Sequence, residues 1–133
     1  MRTKSERGSR GFTLIEMVIV ISMILVLLSI ALPMYNQSII RARETTLKQN
    51  LATLRKVIDQ YTLDKQKAPQ SLDDLVSAGY LRAIPADATG RTDTWQVVQE
   101  DSIQAVDQTQ PGIVDVHSGS SASSSDGTAY SSW

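Results

Sequence analysis

The chain has 133 residues, enough for about one domain, and its 41% hydrophobic and 20% charged content is that of an ordinary folded protein. A net charge of -1 offers no bulk basicity for nucleic acid, and the lack of cysteine excludes disulfide frameworks, thiolate catalysis and thiolate metal sites. The charge is unevenly spread. Arg2, Lys4, Arg7 and Arg10, against Glu6 alone, precede Phe12, whereas no Lys or Arg follows Arg91 and six acids do.

Residues 12–32 read FTLIEMVIVISMILVLLSIAL, 21 residues broken only by Thr13, Glu16, Ser22 and Ser29. About 20 mostly apolar residues cross the hydrocarbon core as a helix. A core helix of that length would keep one polar face, and this segment is apolar all round. The basic cluster before it holds the N-terminus in the cytoplasm by the positive-inside rule. An ordinary secretory signal peptide has a shorter apolar core, of about 7–15 residues, followed by a small-residue cleavage site, which Ser29, Ala31 and Pro33 imitate only loosely. It also has no use for Glu16. A carboxylate in the bilayer costs about 2.5–3.5 kcal/mol at the centre and less near a helix end, so it marks a function whose partner offsets that cost.

The stretch R-G-F-T-L-I-E at residues 10–16, leading into an unbroken apolar run, resembles the class III signal of type IV pilins and type II secretion pseudopilins. The resemblance implies that a membrane-embedded prepilin peptidase cuts between Gly11 and Phe12 and methylates the new Phe12 amine. It also makes Glu16 the glutamate at the fifth mature position. Physical chemistry agrees: an ammonium at Phe12 and a carboxylate at Glu16 are each costly in lipid, and pairing reduces both penalties. The Glu16 of one subunit then meets the Phe12 amine of its neighbour. The alternative is a helix-start acid at the membrane surface.

Pro33 follows directly and is expected to interrupt or bend the helix, since proline lacks an N–H and disfavours helical geometry before it. Beyond it Ile40, Leu47, Leu51, Leu54, Ile58 and Tyr61 fall on one helical face. Together these segments predict one long helix over about 12–63, apolar all round in its first half and amphipathic in its second. After a polar connection, Ser71-Leu-Asp-Asp74 has the form of a capping box opening a short helix, with Gly79 as its C-terminal stop. Residues 94–99, 102–106 and 113–117 are short, alternating and β-branched, and predict three antiparallel strands that cover the helix stripe. The serine-rich residues 118–132 have linker composition, yet Tyr130 and Trp133 favour docking on the sheet. The single histidine, His117, cannot build a zinc site, and no G-x-S-x-G elbow or P-loop glycine spacing is present. No catalytic constellation emerges.

Tyr61-x-x-Asp64, Pro69-x-x-Leu72-x-x-Leu75, Gly79-Tyr80-Leu81 and Ile84-Pro85-x-Asp87 narrow the resemblance to the major, G-type pseudopilins of type II secretion. The chain departs from them at Ala68-Pro69, where Tyr-Pro is frequent, and at Asp87-Ala-Thr-Gly90, where Asp-Pro-Trp-Gly is frequent. The tail, Asp115-Val-His-Ser-Gly-Ser120 and Asp126-Gly-Thr-x-Tyr130, is similar to that of some G-type proteins. The expected organisation is a cleaved cytoplasmic leader (1–11), a transmembrane helix (12–32), its amphipathic continuation (33–63) and a periplasmic head (64–133). The fold class is α+β and pilin-like, a long helix on a small three-stranded sheet.

The resemblance implies a non-enzymatic subunit of the inner-membrane pseudopilus. Its partners would be copies of itself, minor pseudopilins, the prepilin peptidase and the inner-membrane assembly platform. The alternatives are a type IV pilin or minor pilin, which many C-terminal disulfides in that group disfavour here, and a membrane-tethered binding domain that never polymerises. No cofactor is required. The resemblance raises a calcium ion in the C-terminal loop, with Asp115, Asp126 and nearby carbonyls as ligands, against the simpler reading of a surface loop closed by Tyr130 and Trp133.

Overall fold

The computed structural model describes residues 11–100 and 111–133. In chain order the elements are helix α1 (Leu14–Lys65), helix α2 (Leu72–Ser77), strands β1 (Gln96–Glu100) and β2 (Gly112–His117), and a short 3-10 turn at Tyr130–Ser132. The protein is α+β and divides into two compact units, Met1–Ser38 and Ile39–Trp133.

In the first unit α1 carries a window of mean hydropathy 2.8 with none of its residues buried. Exposure runs from 83% at Leu14 to 45% at Val20, with no buried side, so this half of α1 is no core helix. Its few polar groups are satisfied locally. The Ser22 hydroxyl donates to the Val18 carbonyl at 2.7 Å and the Ser29 hydroxyl to the Val26 carbonyl at 2.7 Å. Such back-bonding removes the cost of a bare hydroxyl in lipid. Pro33, where an interruption or bend was expected, lies inside α1 with helical backbone on both sides. It supplies no N–H to the Ser29 carbonyl one turn earlier.

In the second unit the same helix buries Glu44, Leu47, Leu51, Leu54, Val57, Ile58 and Tyr61. The stripe expected from the sequence is present from Leu47 onward. Ile40, assigned to its start, is instead 45% exposed, and Val57 joins the buried face. Leu75 of α2, Trp95, and Ile113 and Val116 of β2 complete the core, flanked by Leu72, Tyr80, Leu81, Ile84, Tyr130 and Trp133. Each large side chain buried here contributes about 1.5–3 kcal/mol. α1 ends where Gln66 takes a positive φ of 56°, a left-handed stop usually given to glycine.

The capping box at α2 is present. The Ser71 hydroxyl accepts from the Asp74 N–H at 3.3 Å, and the Asp74 carboxylate accepts from the Ser71 N–H at 3.0 Å. At the other end Gly79, at φ +83°, donates to the Val76 carbonyl while Tyr80 N–H donates to the Leu75 carbonyl. This is a Schellman closure that needs the left-handed residue glycine supplies.

Strands β1 and β2 pair antiparallel, with Gln96 opposite His117 and Glu100 opposite Gly112. The sheet has two strands among the described residues rather than the expected three, and the strand expected over 102–106 lies outside them. The register is irregular at Val98/Gln99, whose partners are Asp115 and Ile113, so Val114 is an extra residue. Strict alternation would place Ile113 and Val116 on opposite faces. The bulge turns both to the core, where each is 1% exposed or less.

Candidate functional site

Two clusters carry the polar chemistry, one in each unit. The first is the N-terminal motif. Gly11, Phe12 and Thr13 precede α1 in non-helical backbone, and Phe12 is 79% exposed. The peptide bond expected to be cut therefore lies outside the helical hydrogen-bond ladder. Thr13 is the N-cap: its carbonyl accepts from the Met17 N–H at 3.1 Å and its hydroxyl from the Glu16 N–H at 3.2 Å. The cap places Glu16 in the first turn of α1, at the positive end of the helix dipole. Among the described residues Glu16 has no ion-pair partner. Thr13 stood in the sequence only as a polar interruption, although the spacing Thr-x-x-Glu was a readable cap signal.

The second cluster joins α1 to the C-terminal segment, and spacing did not reveal it. Glu44, only 8% exposed, accepts from the Ser125 N–H and hydroxyl at 2.6 Å each and from the Tyr130 hydroxyl at 3.1 Å. One turn on, the Lys48 ammonium sits 4.5 Å from the centre of the Trp133 ring, a cation–π contact. Arg55 donates to Asp115 at 2.8 Å, to the Val116 carbonyl at 3.0 Å and to the Trp133 carbonyl at 2.9 Å. Tyr130 and Trp133 meet edge to face at 5.0 Å. Tyr130 and Trp133 thus dock, as expected of two large aromatics, and charged residues of α1 hold them there.

A third feature, Asp87, is 5% exposed and has no cation beside it among the described residues. Its carboxylate instead accepts from the Ala88 N–H, the Thr94 and Ser118 hydroxyls and the Gly119 N–H. Four donors make a buried carboxylate tolerable.

Asp115 and Asp126 engage separate sets of donors. Asp115 is bound by Arg55 and the Val116 N–H, with His117 Nε2 at 3.5 Å. Burial pushes the Asp115 carboxyl up, but the Val116 N–H and Arg55 outweigh it and its pKa lies below the ordinary value. Asp126 accepts from the Ser124 hydroxyl and from the Thr128 hydroxyl and N–H. No group of three His, Cys, Asp or Glu side chains able to hold a metal occurs among the described residues. A guanidinium on Asp115 opposes a cation there, so the pair does not fit one calcium site.

The hydrogen bonds set a pH window. The Ser125 hydroxyl and then its N–H hold Glu44 below its usual pKa, while nearby Asp126 works against them. The Ser124 and Thr128 hydroxyls bring Asp126 to about 2, with Lys48 assisting. Tyr130, the other titrating group facing Glu44, is pushed up by burial and by Glu44. Both carboxylates titrate lower folded than unfolded, so their stabilisation is complete above the unfolded range near pH 4 and is lost as pH falls through the folded values. Trp133 fluorescence should therefore report tail release with a midpoint below about pH 4. A midpoint above about pH 5 would contradict these contacts.

Comparison with known proteins bears on the first cluster. Residues 7–32 match the prokaryotic N-terminal methylation motif. Over 97 residues the chain is 33% identical to the type II secretion system core protein G of Klebsiella pneumoniae, across 61% of this chain and 69% of that protein. It is 32% identical over 97 residues to the protein of the same name from Escherichia coli K12, across 61% and 67%. It is likewise 32% identical over 83 residues to the type IV wide pilus major component PilA4 of Thermus thermophilus, across 62% and 63%. No solved structure gives a significant match.

Proposed function

The chain belongs to the type IV pilin and pseudopilin superfamily, a family of structural subunits and not of enzymes, and from that premise we propose that it is the major subunit of a type II secretion pseudopilus. One observation carries the reading. The R-G-F-T-L-I-E motif opens a 52-residue helix whose first half is apolar and unburied on every side. Such a surface needs lipid around it before assembly and other subunits after it.

In this reading the basic residues before Phe12 keep the N-terminus cytoplasmic and the head faces the periplasm. The prepilin peptidase cuts between Gly11 and Phe12 and methylates the Phe12 amine. Glu16 then pairs with that amine on a neighbouring copy, which sets the axial step. The assembly platform adds subunits, and minor pseudopilins share the filament. The head motifs from Tyr61 to Asp87 and the likeness to two core G proteins support type II secretion. Similar identity to a pilus component supports type IV pilin as the second reading. Deleting the gene separates the two: loss of exoprotein export fits the first, and loss of a surface pilus with export intact fits the second. Calcium at Asp115 and Asp126 is not part of the proposal, because Arg55 already neutralises Asp115.

Mass spectrometry of the protein taken from its own cells tests the processing step. The expected mature chain begins at Phe12 and carries one methyl. A chain that retains Met1, or one that begins near Pro33, would overturn it.

A further inference from the structure

Glu44, Lys48 and Arg55 lie four and seven residues apart, within about 40° of one another around α1. They form a charged stripe beside the apolar stripe of Leu47, Leu51, Leu54 and Ile58. Every contact that the stripe makes with the last 15 residues is of a kind a peptide can read. Glu44 accepts from Ser125 and Tyr130, Lys48 lies on the Trp133 ring, and Arg55 donates to the Trp133 carbonyl. The loop closes on itself as well. Ser123 bridges to Ala129, the Ser124 N–H donates to the Thr128 carbonyl, and Trp133 Nε1 donates to the Thr128 hydroxyl at 2.9 Å.

We propose that this stripe is an intramolecular binding site for the C-terminal segment and holds it without a metal ion. The three side chains supply what a bound cation would otherwise supply. The two Glu44 carboxylate oxygens accept from three donors, so the loop backbone at Ser125 is fixed by a carboxylate on the helix instead of a cation in the loop. Arg55 bridges β2 and the chain end, because it meets Asp115, Val116 and Trp133 together. Both carboxylates that a calcium ion would draw on are already committed, Asp115 to Arg55 and Asp126 to Ser124 and Thr128. Ser125 and Tyr130 are the residues the stripe recognises, and the inference holds whether or not the chain polymerises.

Hydrogen–deuterium exchange on the full chain in detergent, read by mass spectrometry over residues 118–133, tests this. Protection should be the same with chelator and with millimolar calcium. Glu44→Gln should lower it by about tenfold or more, as expected when hydrogen bonds lose their charged acceptor. Protection over residues 51–58 should meanwhile hold. Loss of tail protection on chelation, or a tenfold gain with calcium, would overturn the proposal. So would a Glu44→Gln tail protected as in the parent. If Glu44→Gln unfolds the head, Ser125→Ala and Tyr130→Phe probe the same contact from the tail. Each should loosen residues 118–133 with 51–58 unchanged, and unaltered tail protection in both would equally overturn it.

Discussion

If the proposed pairing is right, Glu16→Leu should leave the chain in the membrane, cleaved before Phe12, and unable to enter a filament. The apolar substitution removes the insertion cost of the carboxylate, so the anchor itself is strengthened. The loss falls on the contact between copies. In the proposed filament the Phe12 ammonium of one copy would lie in a low-dielectric surround, and without its carboxylate it would be a buried unpaired charge. Removing one member of such a pair costs about 3–5 kcal/mol, or about two to three and a half orders of magnitude in association. The measurement is filament yield in sheared and membrane fractions, with the mature N-terminus checked in parallel. Glu16→Asp should retain partial assembly, since charge is kept and reach is shortened. Normal filaments from Glu16→Leu would sink the pairing.

Gly119→Ala should strongly destabilise the head. A Cβ built on Gly119 would lie 1.9 Å from the Thr94 carbonyl oxygen, which is backbone and cannot swing away. The chain must shift instead, and it is pinned. Gly119 N–H donates to Asp87 at 2.8 Å, and the neighbouring Ser118 hydroxyl donates to the same carboxylate. Overpacking costs about 1–3 kcal/mol and a lost hydrogen bond to a charged group about 1.5–3. A sum of about 2.5–6 kcal/mol is a large share of a domain's total of about 5–15. Thermal unfolding of the full chain should fall by more than about 10 °C. Ser121→Ala, at an exposed position two residues on, should change stability by less than about 0.5 kcal/mol. Equal melting for the two variants would show that the Thr94 contact is not as tight as described.

What was legible in the sequence was local. The long helix is written in a run of apolar residues and then in a period of three and four, both readable from neighbours. Its observed limits, Leu14 and Lys65, lie within about two residues of those expected. The α2 cap and its glycine stop are likewise short-range devices. The positions of β1 and β2 were readable, but the bulge at Val114 was not, because a bulge is set by which face must reach the core.

The charged stripe was opaque for a different reason. Glu44 and Ser125 are separated by 81 residues, and Arg55 and Trp133 by 78. No periodicity links them. Asp87 was visible only as part of a motif. Its role emerges when Thr94, Ser118 and Gly119 are brought around it by the fold. Thr13 was readable and was overshadowed by the glutamate three residues later.

The bulged strand and the docked tail also set a timetable. The stripe from Leu47 to Tyr61 leaves the ribosome early, but Ile113, Val116, Tyr130 and Trp133, which cover it, are made about 50 residues or more later. Contacts of such long separation close slowly, and until they do the stripe is bare apolar surface. A chain halted before those residues are made is therefore a sticky one. The head becomes inert toward other chains only once Ile113, Val116, Tyr130 and Trp133 have closed over that stripe.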